Sequence, residues 1–408
     1  MVLGAGIVGV SVALQLQKRG RTVVLLDRRG AGEETSFGNA GLIQREAVYP
    51  YAFPHDLRAL MQHALNRGTE ARYQLAALPK LAPFLARYWW SSRPGRHEEI
   101  AREYALLIEH CVTEHRALAE EAGATDLMRP TGWLKLYRTQ ARLDQEVREA
   151  QELTRDFGVS HAALDPQALA SMEPHLAADF AGALHWTDPV SVTDPHALTM
   201  AYVGLFQRLG GRLVTGDAAT LDRSGQRWRV QTDEGPLDAG AAVVALGAWA
   251  DLVTKPLGYR LPLAVKRGYH MHYAAKGNAV LGRPCLDSER GYLLAPMARG
   301  IRLTTGAEFA DRDAPKTPVQ LERAEPIART LFPLGERIDP EPWMGPRPCT
   351  PDMMPIIGPA PRHAGLWFAF GHAHHGLTLG PVTGRLIADM LTGEKPFVDP
   401  HPYRADRF

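Results

Sequence analysis

Residues 2–9 read Val2-Leu-Gly-Ala-Gly-Ile-Val-Gly9, which sets Gly4, Gly6 and Gly9 in the pattern Gly-x-Gly-x-x-Gly. Apolar residues at helical spacing follow (Val12, Leu14, Leu16), and a β-branched run from Thr22 to Leu26 then ends on Asp27. Strand, glycine turn, helix, strand and acid, in that order, make a dinucleotide-binding unit. Gly4 permits the tight turn, Gly6 lets backbone approach a pyrophosphate, and Gly9 lets helix and strand pack closely. The helix N-terminus offers unpaired N–H groups and a positive dipole end to the phosphates. Asp27 stands 18 positions after Gly9, near the spacing of about 20 at which an acid reaches a ribose hydroxyl. Ile7, Val8 and Arg28 flank these positions and are read as cofactor-binding with them. Only three residues precede Gly4, so the first strand is expected to be short.

A chain of 408 residues exceeds one ordinary core, and two domains are expected. With 45% hydrophobic and 22% charged residues, the composition is that of a globular protein. A net charge of +1 gives no overall field for nucleic acid or anionic membrane, although a local basic patch stays open. Three cysteines (Cys111, Cys285, Cys349) make no disulfide framework and fit a reducing compartment. No basic-plus-apolar leader is visible. The longest apolar stretch, 239–250, is far short of the about 20 residues that span a bilayer. The expectation is a cytoplasmic protein that binds no nucleic acid, with contact to the inner face of a membrane left open.

Further along, residues 28–50 are rich in turns. Residues 71–92 and 98–123 carry apolar residues at helical spacing, and the cluster Tyr88, Trp89, Trp90 is expected to pack in the core. A strand is expected over 132–137 and a helix over 143–157. Asp194 suits an N-cap and Pro195 the first helical position, which predicts a helix over 195–209. Strands are expected at 212–215, 228–232 and 241–245, the last of a kind buried on both faces. Residues 261–310 are strand-rich and 318–332 helical. A strand at 366–370, a Gly/His turn and a helix at 376–391 end the chain in the style of its beginning.

Several stretches together resemble the D-amino-acid-oxidase-like superfamily of flavoproteins, which includes glycine oxidase, sarcosine oxidase and bacterial D-amino acid dehydrogenases. They are the opening motif with Asp27, Thr35-Ser-Phe-Gly-Asn-Ala-Gly41, Val243-Val-Ala-Leu-Gly-Ala-Trp249, Lys266-Arg-Gly-Tyr-His270, Arg347-Pro-Cys-Thr-Pro-Asp352 with Pro355-Ile-Ile-Gly358, and Gly371-His-Ala-His-His-Gly376. The second and fifth look most like the bacterial D-amino acid dehydrogenases. The resemblance implies FAD as cofactor. It implies an α/β plus α+β fold, in which a Rossmann-like FAD-binding domain is interleaved with a substrate domain of antiparallel sheet and helices. The expected division is 1–50, 166–250 and 340–408 for FAD, and 51–165 and 251–339 for substrate.

The residues fit that implication. The loop 35–41 is small and polar, suited to lie against a flavin ring, with Ser36, Gly38, Asn39, Ala40 and Gly41 as contacts; a plain surface loop is the alternative. Gly247 and Trp249 follow a core strand and join the cofactor set. Gly371, His372, His374, His375, Gly376, Leu377 and Thr378 lie between a strand and a helix, where amides and helix dipole converge on the edge of the flavin that becomes negative on reduction. His-x-His-His suggests a metal, yet no cysteine or carboxylate with ligand spacing accompanies it, so no metal is expected. Cys349 is read as a structural thiol rather than a flavin attachment point.

Oxidation at an amino acid α-carbon needs a clamped carboxylate and a C–H aimed at the flavin N5. Arginine is the best clamp because its planar fork binds both oxygens. The resemblance assigns that role to Arg347. Tyr292 and Tyr269 are candidates to complete the pocket, with packing as the alternative for each. His270 is a weaker candidate, since its face on the strand is unknown. Tyr49, Tyr51 and Phe53 are candidates for a side-chain pocket or lid. No general base is assigned; desolvation can deliver a neutral amine. Sarcosine oxidases carry an oxygen-activating lysine in a strand resembling Gly300-Ile-Arg-Leu-Thr304, and here Arg302 stands in its place. That favours a D-amino acid dehydrogenase passing electrons to a quinone or protein acceptor, and the aromatic residues around 49–53 point to apolar or cyclic substrates such as D-proline or a hydroxyproline. A glycine- or sarcosine-type amine oxidase using oxygen and a flavin-bearing electron-transfer subunit are the alternatives. An NAD-dependent dehydrogenase ranks behind them.

Overall fold

The computed structural model describes residues 1–408 apart from 57–59, 62–64, 67 and 178. The opening motif forms strand Val2–Leu3, helix Ile7–Lys18 and strand Val24–Asp27. The two-residue first strand is central: it pairs in parallel with Val24–Asp27 on one side and Ala242–Val244 on the other. Arg212–Ser224 extends the parallel sheet beyond Val24–Asp27, and Leu366–Phe370 extends it beyond Ala242–Val244. Antiparallel strands complete eight, with Gly235–Ala239 at one edge and Ile356–Pro359 at the other. Ala242–Val244 is buried throughout, as a doubly covered parallel strand requires. Glycine at position 9 is obligatory, because a Cβ there would lie 1.8 Å from the Gly4 carbonyl oxygen, while Gly4 has φ +102°. The closing helix, Gly376–Thr392, packs along Ile7–Lys18, so both ends of the chain build one layer.

The second sheet has eleven strands. Its longest, Ala264–Ala275, pairs antiparallel with Gly300–Thr305, Ala307–Phe309, Leu334–Arg337 and Trp343–Cys349. The path runs on through Tyr292–Met297 and Cys285–Asp287 to Trp133–Tyr137, Gly182–Trp186 and His161–Leu164. One face of it carries Tyr269, Met271 and Tyr273 into a core shared with Leu321, Ala324 and Leu331 of helix Val319–Leu331. Asp194 caps helix Pro195–Arg208, accepting from the Ala197 amide at 2.9 Å.

Three expectations are corrected. Residues 71–92 are not one helix: strand Ala71–Tyr73 joins the edge of the second sheet, and the helix is Leu78–Ser91. Residues 98–123 are split between helices Pro94–Ile108 and Cys111–Ala122. Of the aromatic cluster only Tyr88 is in the core; Trp89 and Trp90 are 38% and 58% exposed. A helical period tells which residues share a face and not whether anything covers it. In addition, Gly182–Trp186 and Trp343–Cys349 hydrogen-bond in the second sheet, although they fall in spans expected for the nucleotide unit. No helix among the described residues is long and apolar enough to cross a membrane.

Candidate active site

A cavity of about 870 Å³ runs from the glycine turn of the first sheet to the strands of the second. At its nucleotide end the wall contains Gly4, Gly6, Ile7, Val8, Asp27 and Arg28. The helix N-terminus at Gly6 and Ile7 is therefore exposed to the cavity, and Ser36 Oγ accepts from the Ile7 amide at 3.0 Å. Asp27 Oδ2 accepts from the Ala5 amide at 2.8 Å and Oδ1 from the Arg29 amide at 3.1 Å, so the acid is fixed by the loops it faces. The Arg28 guanidinium lies over the Trp249 ring, 4.8 Å from its centroid. Ser36, Asn39, Ala40, Gly247 and Trp249 also line the cavity.

At the other end the turn 371–376 contributes His372, His374 and Gly376, with Leu377 behind them. Ala373 between the histidines has φ +48°, an uncommon backbone for a residue with a Cβ. Burial pushes all three imidazoles down, His372 to about 3, His375 to about 4 and His374 well below its ordinary value, the last also repelled by Arg347 and Lys266. The turn is thus neutral at pH 7. His374 Nδ1 is buried without a hydrogen-bond partner on a residue that lines the cavity, an atom left for a ligand to satisfy. The positive field in this part of the cavity comes from the N-terminus of helix Gly376–Thr392 and from two side chains, Arg347 and Lys266.

Arg347 donates from Nη1 to the Gly306 carbonyl at 3.0 Å and has no ion pair among the described residues. Its guanidinium crosses Gly268, where a Cβ would lie 2.2 Å from Nη2; the glycine makes room for the arginine. Lys266 is 4% exposed. Its Nζ donates to the Tyr88 hydroxyl at 3.1 Å and lies over the Tyr88 and Phe309 rings. Burial, with repulsion from Arg347, holds its amine down to about 8, and burial likewise lowers Arg347. Tyr51, Phe53, Tyr88, Leu293 and Trp343 add apolar wall. A negatively charged small molecule with an apolar part matches these walls.

Other expected site residues lie elsewhere. Gly9 packs against Gly4, Gly38 lies under the Trp343 ring, Gly41 abuts the Val192 carbonyl, and Gly371 abuts Thr350. His375 Nδ1 and the Tyr104 hydroxyl are 2.7 Å apart, and Thr378 Oγ1 donates to the Leu42 carbonyl at 3.2 Å. These six support the lining without forming it. Tyr269 and Tyr292 are corrected as pocket residues: both side chains enter the core on the far side of the sheet. The Tyr269 hydroxyl donates to Glu308 at 2.7 Å and accepts from Arg267 at 3.1 Å. His270 is stacked beneath Trp343, with ring centroids 4.8 Å apart, and the indole screens it from the cavity. Tyr49 packs on Phe157 and His97 instead.

The comparison that rested on Arg302 also changes. Arg302 is buried behind the cofactor loop, donating to the Asn39 carbonyl and, at 3.0 Å, to His272 Nε2. The cationic amine on the cavity wall belongs to Lys266, which the sequence reading passed over. His270, His272 and Asp339 bring ligand-type atoms within 4.8 Å of one another, but His272 Nδ1 and Asp339 are 2.6 Å apart as a hydrogen-bonded pair and Arg299 pairs with the same carboxylate at 3.1 Å. Cys349 is fully buried and free, with its thiol pushed up by burial.

The elongated cavity, the helix end at Gly6, the acid beyond it and the unpartnered His374 Nδ1 at the far end fit an FAD. A model of the family described as FAD dependent oxidoreductase (DAO) matches residues 1–390. The D-amino acid dehydrogenase of Methylobacterium radiotolerans is 33% identical over 415 residues, covering 97% of this chain and 96% of that protein. The D-amino-acid oxidase of Bradyrhizobium diazoefficiens is 29% identical over 417 residues, covering 100% and 98%. The crystal structure of glycine oxidase from Geobacillus kaustophilus shares the fold with a TM-score of 0.74 and 23% identity, over 100% of this chain and 98% of that one. Matched over nearly its whole length in sequence and in fold, the chain belongs to the DAO family of FAD-dependent oxidoreductases.

Proposed function

We propose that the protein oxidises D-amino acids at the α-carbon and delivers the electrons to a quinone or a protein. FAD, when bound, supplies the acceptor for the hydride. Gly4, Gly6, Ile7, Asp27 and Ser36 hold its nucleotide end, and Asn39, Ala40, His374 and Gly376 line the place of its ring. Arg347 binds the substrate carboxylate, the apolar walls around Tyr51, Phe53 and Leu293 receive the side chain, and exclusion of water favours the neutral amine. Apolar or cyclic substrates such as D-proline fit those walls. The division of labour follows the two sheets, nucleotide on the first and substrate on the second.

One observation carries this reading: Arg347 is a cavity-lining cation without an acidic partner among the described residues. A partly buried charge of that kind, drawn away from water, favours a ligand of opposite charge. The dehydrogenase name of the relative from Methylobacterium supports the choice of acceptor. Lys266 favours a second reading, an amine oxidase using oxygen, because an amine is after all present on the cavity wall. A screen of D- and L-amino acids with a dye acceptor, under air and under nitrogen, separates the two. Peroxide release in air at the rate of dye reduction selects the oxidase. Absence of turnover with every D-amino acid defeats the proposal.

A further inference from the structure

Helix Leu78–Ser91 carries large apolar residues on its outer face as well as its inner one. Inward, Leu81, Phe84 and Tyr88 are buried, and Leu78, Leu85 and Tyr88 reach the cavity wall. A helix that met only water outside would turn a polar face to it. Here the exposed positions include Ala82, Pro83, Ala86, Trp89 and Trp90. Leu75, just before the helix, is 74% exposed.

The sequence that forms this face is basic. Residues 71–97 contain five arginines and lysines and neither Asp nor Glu, although the whole chain is balanced at 46 basic to 45 acidic residues. Lys80 and Arg87 are exposed on the helix itself. Lys80 has an exposed partner in Asp311, and Arg96 one in Glu99. Arg87 and Arg93 have no ion pair among the described residues. The Arg93 guanidinium sits 3.7 Å from the Trp90 ring centroid and 4.8 Å from that of Trp89, so cation and indoles form one surface.

We propose that this helix is a docking surface for an anionic lipid bilayer, with Trp89, Trp90 and Leu75 in the headgroup boundary and Lys80, Arg87 and Arg93 against lipid phosphates. Indoles sit at the headgroup level of a bilayer, and basic side chains near the surface are drawn to anionic lipid. The area argues against a protein partner. Fourteen residues span only about 21 Å, and one face of such a helix falls well short of the roughly 800 Å² per partner of a stable protein interface. Since the same helix walls the cavity, docking brings the cavity against the membrane. The benefit for a lipid-soluble acceptor rests on the proposed function; the docking itself does not.

The test uses the flavin-loaded full chain, floated with phosphatidylcholine vesicles with and without phosphatidylglycerol. The protein is expected to float only with the anionic vesicles and to be released by high salt. Trp89→Ala/Trp90→Ala and, separately, Arg87→Glu/Arg93→Glu should each lower vesicle partitioning about tenfold or more. Flavin content, melting temperature and dye-coupled turnover should stay as in the parent. A parent protein that fails to float at low salt overturns the proposal. So does a self-associating parent whose dimer is broken by the tryptophan variant, because a second copy then covers the helix. Flotation is read without turnover, so a failed substrate screen and a failed docking surface are told apart.

Discussion

Lys266 and Arg347 face each other directly across the antiparallel pair of strands Ala264–Ala275 and Trp343–Cys349. Opposed residues of such a pair project from the same face, and both of these line the cavity. Two like charges in that relationship repel, and neither has a carboxylate partner among the described residues. Such a pair weakens the folded protein by itself and becomes favourable once an anion lies between or beside the two groups. The arrangement therefore belongs to binding and not to stability.

Arg347→Ala should keep its yellow colour and melt no lower than the parent, since the repulsion with Lys266 is relieved, yet lose turnover of carboxylate substrates. Truncating one partner of a buried charge pair costs about 2–5 kcal/mol, which corresponds to a loss in kcat/KM of roughly 30-fold to several thousandfold. Arg347→Lys should recover only part of this, because an ammonium lacks the planar fork. Steady-state kinetics with a dye acceptor check both. Parent-like kinetics in Arg347→Ala would remove the residue from the site.

Lys266→Met should make the apo fold more stable at neutral pH. Burial holds the amine at about 8 against 10.5 in the unfolded chain. Between those values the unfolded chain binds more protons, so stability rises with pH; below about 8 the whole penalty stands, on the order of 3 kcal/mol. Removing the charge relieves it, and the advantage of the variant should vanish above pH 10.5. Tyr88 loses one contact but keeps its hydrogen bond to the Tyr51 carbonyl at 2.9 Å. Denaturant unfolding of parent and variant at several pH values reads the difference, and a variant weaker than the parent at pH 7 contradicts the argument.

The first sheet was legible because its signals are local: glycines at fixed offsets, an acid after a strand, a proline following an N-cap aspartate. Arg347 was legible from the motif around it. The second sheet hid its faces. Ala264–Ala275 is buried over most of its length on both sides, so no alternation of polar and apolar residues tells which side chains meet the cavity. The stretch 266–270 does not show that Lys266 and Tyr269 lie on opposite faces, the first toward the cavity and the second toward the core. Tyr292 missed in the same way by one residue, since its neighbour Leu293 lines the cavity. The exposed Trp89 and Trp90 were hidden differently, because helical spacing does not tell whether anything covers a face.

Gly6→Ala and Gly9→Ala separate cofactor binding from folding. At Gly9 the new Cβ meets the Gly4 carbonyl oxygen at 1.8 Å, whereas at Gly6 its nearest neighbour is Ser36 Oγ at 3.2 Å. Gly9→Ala should therefore fail to fold or lose several kcal/mol, as overpacking against backbone does. Gly6→Ala should fold, with its methyl group intruding where the cofactor passes, and bind FAD about tenfold or more weakly. Circular dichroism and FAD titration of the apoprotein compare them. Parent-like FAD affinity in Gly6→Ala would show that the backbone at Gly6 does not approach the cofactor.

Glu46 carries the opposite pH signature from Lys266. It is 7% exposed, accepts from Trp133 Nε1 at 2.9 Å and Gln44 Nε2 at 2.8 Å, and leaves Oε2 without a partner. Burial outweighs those hydrogen bonds and raises its carboxyl to about 7 from 4.5. Its folded value lies above its unfolded one, so its favourable contribution is complete below pH 4.5 and is lost as the pH climbs through 7. Glu46→Gln keeps an acceptor for Trp133 and has no charge to bury. It should match the parent near pH 4 and exceed it at pH 8 by on the order of 3 kcal/mol. Thermal unfolding of parent and variant across that range decides, because a stability difference that does not change with pH means the carboxyl titrates in its ordinary range.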